Sequence, residues 1–172
     1  MKKAFSLIEL LIVIVIIGVV YTLAVTKLQT VQEGEMTPSL SNLKEYLVSF
    51  LKEGEEAQIL CFDDCSECSI YVDTQKIKDI ESFIDSSVER YRYDALFGPV
   101  AIKSDIFFNN EGRQEDVCFS LSVDRHLVAD QVMVVYKEKV YDYTPYFEKP
   151  FEYDYIEEAV EAKEKLREEA MQ

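Results

Sequence analysis

A single carboxylate, Glu9, stands inside a run of apolar residues that is otherwise built to cross a bilayer. From Phe5 to Val25 there are 21 residues, which as a helix span about 31 Å, close to the hydrocarbon thickness of a membrane. A carboxylate at mid-depth costs roughly 2.5–3.5 kcal/mol on insertion scales. Glu9 lies nearer the end, where the cost is lower, but it still calls for a partner. No lysine or arginine lies between Phe5 and Thr26. The one cation able to reach Glu9 in the membrane is a free amino group at Phe5, created by a cut after Ala4. The chemistry implied is an amine–carboxylate pair whose amine is made by proteolysis.

The second group of reactive residues is Cys61, Cys65, Cys68 and Cys118. Lys2 and Lys3 place the short leader in the cytoplasm by the positive-inside rule, and the acidic remainder outside. An even count of cysteines on that side implies disulfides, with three possible pairings. A four-thiolate zinc site competes, but paired Cys-x2-Cys knuckles are missing because Cys118 stands alone. The spacing Cys61-x3-Cys65-x2-Cys68 also matches the cluster-binding motif of radical enzymes that use S-adenosylmethionine, which need a far longer cytoplasmic barrel. Two disulfides are expected, one joining Cys118 to the Cys61–Cys68 loop. Cys68 is the preferred partner, because a strand at Ile70 to Val72 could lie beside the one holding Cys118. His126 is the only histidine, and no Ser/His/Asp arrangement, Walker loop or nucleotide fingerprint is present. No enzyme activity, cofactor or metal is expected.

The leader carries a resemblance. Lys2-Lys3-Ala4 followed by Phe5-Ser6-Leu7-Ile8-Glu9-Leu10-Leu11-Ile12-Val13 resembles the class III leader and helix start of type IV pilins and type II secretion pseudopilins. The likeness covers about the first 25 residues. It implies that a prepilin peptidase cuts between Ala4 and Phe5 and methylates the new terminus. It also implies that Glu9 pairs with the Phe5 amine of a neighbouring subunit during assembly. Ala4 stands where Gly is usual, and Thr26 where many main subunits carry Pro. Thr26 and the acidity of the domain favour a pseudopilin or minor pilin over a main fibre subunit. The resemblance covers machines for secretion, DNA uptake and adhesion alike. A secretory signal peptide would be shorter, would lack the acid and would end in a small-residue cleavage site. The alternative of another class is a bitopic inner-membrane protein with a disulfide-bonded, partner-binding periplasmic domain.

Composition agrees with a domain outside the cytoplasm. The chain of 172 residues has a formal net charge of −15, which argues against direct nucleic-acid binding, since phosphate contacts need Lys and Arg. About 145 residues follow the apolar segment, enough for one small domain. Expected partners are the prepilin peptidase, other pilin or pseudopilin subunits and the inner membrane. The expected location is single-pass in the inner membrane, with the globular domain in the periplasm or in a filament.

The elements that must position these residues follow from spacing. Residues 1–4 form the leader. One long helix is expected from Phe5 to about Lys52 or Glu53, spanning the membrane over 5–25 and kinked near Gly34–Pro38. Its outer half would carry an apolar stripe of Leu40, Leu43, Leu47, Phe50 and Leu51. Residues 54–155 are read as the globular part. A cysteine loop comes first, then an amphipathic helix from about Lys76 to Tyr91, carried by Ile77, Ile80, Phe83, Ile84 and Val88. A meander of about four antiparallel strands follows, with a hairpin about Lys137-Glu138-Lys139. The segment from Tyr143 to Tyr155 interleaves aromatic with acidic residues, and is read as packing over the sheet or as a partner-facing patch. Residues 156–172 form a charged helix, with Glu161 and Lys165 at i, i+4. The fold class expected is α+β: a long N-terminal membrane-spanning helix packed on a small antiparallel β-sheet domain, as in pilins.

Overall fold

The computed structural model describes residues 11–17, 36–103, 105–108 and 112–171. The chain divides into two compact units, Met1–Thr37 and Pro38–Gln172. In the first unit, residues 11–17 are helical (α1). The second unit contains α2 (Leu43–Val48), strands β1 (Ala57–Phe62), β2 (Glu67–Val72), β3 (Gln75–Glu81), β4 (Glu89–Asp94), β5 (Gly98–Ala101), β6 (Asp105–Phe108), β7 (Gln114–Val123), β8 (Met133–Tyr136), β9 (Lys139–Asp142) and β10 (Phe151–Tyr153), and α3 (Ile156–Ala170).

The α+β class holds, but its sheet content is far larger than four strands. Two five-stranded antiparallel sheets form, in the orders β3-β2-β1-β7-β6 and β10-β9-β8-β4-β5. Alternation explains how they stack. Ala57, Ile59 and Cys61 of β1 and Phe119, Leu121 and Val123 of β7 share one buried cluster with Val134 and Tyr136 of the second sheet. The core is therefore the space between the sheets. Leu40, Leu43 and Leu47 join it, and α2 packs on β1 and β7. On the other face of the second sheet, Ala159 of α3 covers Met133 and Val140. Arg90 of β4 bridges the layers, donating to the Ser120 carbonyl at 3.1 Å and its hydroxyl at 2.6 Å.

Two expected helices are corrected. The helix expected to reach Lys52 is interrupted at residues 36–42, which are loop and turn, leaving only the six residues of α2 beyond them. Pro38 lacks an N–H and restricts the residue before it, while Asn42 Oδ1 takes the Ser39 N–H at 2.8 Å to close a turn. Residues 18–35 lie outside the described residues. The helix expected from Lys76 to Tyr91 is instead β3, a loop and β4. The Ile77–Ile80–Ile84–Val88 spacing imitates a helical stripe, but residues 75–81 pair with β2 and Ile77 is exposed. Side chains then claim the backbone of the loop, a local competition that helices lose. Asp85 Oδ1 accepts from Ser87 N at 3.0 Å, and Ser82 Oγ donates to the Ile84 carbonyl at 2.8 Å. The Ser87 hydroxyl and N–H, then the Tyr136 hydroxyl, hold the Asp85 carboxyl down to about 2.

Two hairpin turns form without Asn or Gly at their left-handed positions. The β8–β9 hairpin forms at the expected place, with Lys137 and Glu138 at φ 47° and 61°, and the β2–β3 turn puts Asp73 and Thr74 at φ 45° and 72°. Paired left-handed residues match the strand twist and normally call for Asn or Gly.

Tyr143, expected in the aromatic tail, is the largest fully buried side chain among the described residues. Its hydroxyl donates to the Leu40 carbonyl, joining the end of β9 to the approach of α2. Burial, then the charges of Tyr141, Glu45 and Glu152, push its pKa well above the ordinary value. A raised folded-state pKa gives stability that is complete below the unfolded value near 10 and is lost as pH climbs from there. Tyr143→Phe therefore costs about 1–3 kcal/mol at pH 7 by stranding a buried carbonyl, and the variant loses less stability than the wild type between pH 9 and 11. Urea unfolding at the two pH values measures both; an equal alkaline loss would place the titration elsewhere.

Candidate assembly site

Ala4, Phe5 and Glu9 lie outside the described residues. Just beyond them, α1 is Leu11-Ile12-Val13-Ile14-Val15-Ile16-Ile17, nearly two turns without a polar face. Within this chain, all seven side chains are 43–62% exposed. A helix that is apolar on every side must be covered by lipid or by other protein. Among the described residues, no helix is long and apolar enough to cross a membrane.

The cysteines are paired as Cys61–Cys68 and Cys65–Cys118. Cys118 is joined to the loop, but through Cys65 and not Cys68; Cys68 faces Cys61 across the β1–β2 hairpin, with Cα atoms 4.0 Å apart. The expected cysteine loop is thus largely two paired strands. Register explains the choice of partner. Cys61 lies opposite Phe119 and Phe62 opposite Val117, so Cys118 is an extra residue, a bulge on β7. Bulges bend the strand that carries them. Cys65, at φ 67° in the β1–β2 turn, reaches this bulge, and the neighbouring Asp63 N–H bonds the Asp116 carbonyl at 3.0 Å. The disulfide therefore pins β7 at its bend.

Beyond the bend, β6 and the start of β7 serve the outer face of the first sheet. Phe107 packs its ring 5.7 Å from Phe62 and 5.6 Å from Tyr71, over buried Leu60 and Val117. This outer aromatic cluster was not anticipated from spacing. Its only cue is that β1 is apolar on both faces, the mark of a strand covered twice.

The aromatic tail divides. Tyr143 belongs to the core and Tyr153 packs near α3, while Tyr146, Phe147, Phe151 and Tyr155 are exposed. The loop bearing Phe147 is anchored by the buried Lys44 of α2, whose ammonium donates to the carbonyls of Tyr146 at 2.6 Å and Glu148 at 3.1 Å. Lys44 looks like a solvated residue of a helical stripe, and nothing in its spacing marks this role. His126 sits in the turn after β7, where its N–H bonds Asp124 at 2.9 Å. Among the described residues, no group of three or more His, Cys, Asp or Glu side chains is arranged to hold a metal.

Residues 1–25 match the prokaryotic N-terminal methylation motif, and no curated protein or solved structure matches the chain. The motif is the class III prepilin leader, cut by a prepilin peptidase and found on structural subunits rather than enzymes, which assemble with other pilin subunits. The first 25 residues of this chain thus carry the methylation motif that type IV pilin-like proteins share.

Proposed function

We propose that this chain is a structural subunit of a type IV pilus or of a type II secretion or competence pseudopilus, stored in the inner membrane and extracted into a helical filament. The observation that carries the reading is the methylation motif over residues 1–25, with Glu9 set inside its apolar run. The all-apolar surface of α1 supports lateral packing of Leu7 to Val25 against the same segment of neighbours. Glu9 sets their register by pairing with the Phe5 amine of another subunit. The two disulfides favour a globular domain in the oxidising periplasm. Thr26 and the acidic domain favour a pseudopilin or minor pilin.

Intact mass and N-terminal sequencing of membrane-extracted protein test the processing step. The mature chain should begin at Phe5, N-methylated, and Ala4→Arg should block the cut. A mature chain that retains Met1, or starts beyond Val20, overturns the reading; retention of Met1 would favour the bitopic partner-binding alternative. Glu9→Ala should leave cleavage and insertion intact and reduce incorporation into filaments, since breaking a buried charge pair on one side costs roughly 3–5 kcal/mol. Undiminished crosslinking of that variant to its neighbours in cells would refute the pairing.

A further inference from the structure

The bent β7 brings β6 beside a cavity of about 700 Å³ at the far ends of β1, β2 and β7. Part of its wall is aromatic, formed by Tyr71, Phe107 and Phe108. The rest carries the carboxylates of Glu56, Asp73, Asp124 and Asp130, and among the described residues no lysine, arginine or histidine lines it. Backbone N–H groups hold three of these acids in place. Asp73 accepts from Glu56 N, Asp124 from His126 N and Val128 N, and Asp130 from Ser122 N, at 2.7–3.2 Å. Arg125 approaches Glu56 at 3.7 Å, with both side chains more than half exposed.

The cavity adjoins an open sheet edge, and the four edges are not alike. On β3, Lys76, Lys78, Asp79 and Glu81 guard the edge with charge; β5 carries Gly98 and Pro99; β10 is three residues long. Such devices keep an edge from pairing with foreign strands. On β6, residues 106–108 are Ile-Phe-Phe, with Ile106 59% and Phe108 64% exposed. Among the described residues, β6 is paired on one side, with β7.

We propose that β6 and this cavity form a docking groove for an extended, lysine- or arginine-bearing segment of a partner protein. The segment's backbone adds a strand to β6, and one of its cationic side chains enters the acidic, ring-lined cavity. Strand addition supplies main-chain bonds, with specificity from alternate side chains. A cation held over aromatic faces and among carboxylates is favoured twice, by the ring quadrupoles and by charge. The net charge of −15 disfavours a second copy of this chain as the occupant.

Titrating the full-length protein in neutral detergent micelles with the peptide acetyl-Thr-Lys-Val-Lys-Val-Lys-Thr-amide tests this. Amide NMR shifts should be saturable and centred on β6 and the Asp73 and Asp124 turns. Affinity should fall about tenfold when salt rises from 50 to 300 mM. Phe108→Lys, at an exposed position, should weaken binding about tenfold while keeping the thermal midpoint, and Ile77→Lys on the β3 edge should change nothing. Equal binding of the same peptide with glutamate in place of lysine, shifts centred on β3, or no saturable binding would each overturn the proposal. None of these outcomes depends on whether residues 1–4 are removed, so the docking groove and the pilin-like reading stand or fall separately.

Discussion

Replacing Cys65 and Cys118 together by serine lowers the unfolding free energy by about 4 kcal/mol on the chain-entropy account of a loop this long. The bond spans 53 positions, whereas Cys61–Cys68 spans only 7. The short cross-link joins residues already opposite each other in a hairpin, so its removal costs less. The long one also restrains the bulge at Cys118. Amide exchange in the double variant should therefore quicken first along β6 and the first half of β7, where Phe107 leaves its place between Phe62 and Tyr71. Urea unfolding with exchange mapping checks both. A variant that unfolds at the wild-type urea concentration would show that the bond constrains nothing the sheet has not already fixed.

Lys163→Met releases α3 from the second sheet and destabilises the protein by roughly 3–5 kcal/mol. The Lys163 ammonium lies 2.7 Å from Asp142 Oδ2, with side chains 11% and 4% exposed. It also donates to Thr144 Oγ1 at 2.5 Å and sits 5.8 Å from the centre of the Tyr93 ring. The other oxygen of Asp142 takes the Thr144 N–H at 3.0 Å. Removing the cation leaves a buried carboxylate opposite apolar Met133. Removing both charges, as Asp142→Leu with Lys163→Met, should recover most of the loss, because well-packed apolar pairs replace buried ion pairs at little cost. A double-mutant cycle in urea measures this, and limited proteolysis should cut first in α3 of the single variant. A loss below 1 kcal/mol for Lys163→Met would mean that the pair behaves as a surface salt bridge.

What could be read from spacing follows how local each signal is. The leader is a chemical address, so Ala4, Phe5 and Glu9 could be picked out as types before any fold was known. The β8–β9 hairpin and α3 were legible because each is a local pattern. The β2–β3 hairpin was not, since Asp73-Thr74 occupies a turn that usually advertises itself with Asn or Gly. That missing signal let Ile77, Ile80, Ile84 and Val88 pass as a helix. The partner of Cys118 was out of reach for another reason. The residue owes its position to a register shift between β1 and β7, and a shift exists only once both strands are paired. Likewise Lys44, Arg90 and Lys163 are charged residues whose partners lie on other elements, between 19 and 104 positions away, and composition marks such residues as solvated.

The order in which the chain visits its two sheets bears on how fast it can fold. Strands β1–β3 belong to the first sheet, β4 and β5 to the second, β6 and β7 to the first again, and β8–β10 to the second. Neither sheet is contiguous in sequence. The central β1–β7 pairing joins Ala57 to Val123, and β4 must wait for β8. Loop closure on that scale precedes its own reward, so folding belongs to the millisecond-to-second class of non-local β topologies. No half of the domain can settle before the rest of the chain is available to it. Until β8 arrives, β4 lacks its inner neighbour and the core face of the first sheet lacks its cover. The whole domain must be present before any of it is stable, and that interval is when its thiols find their partners.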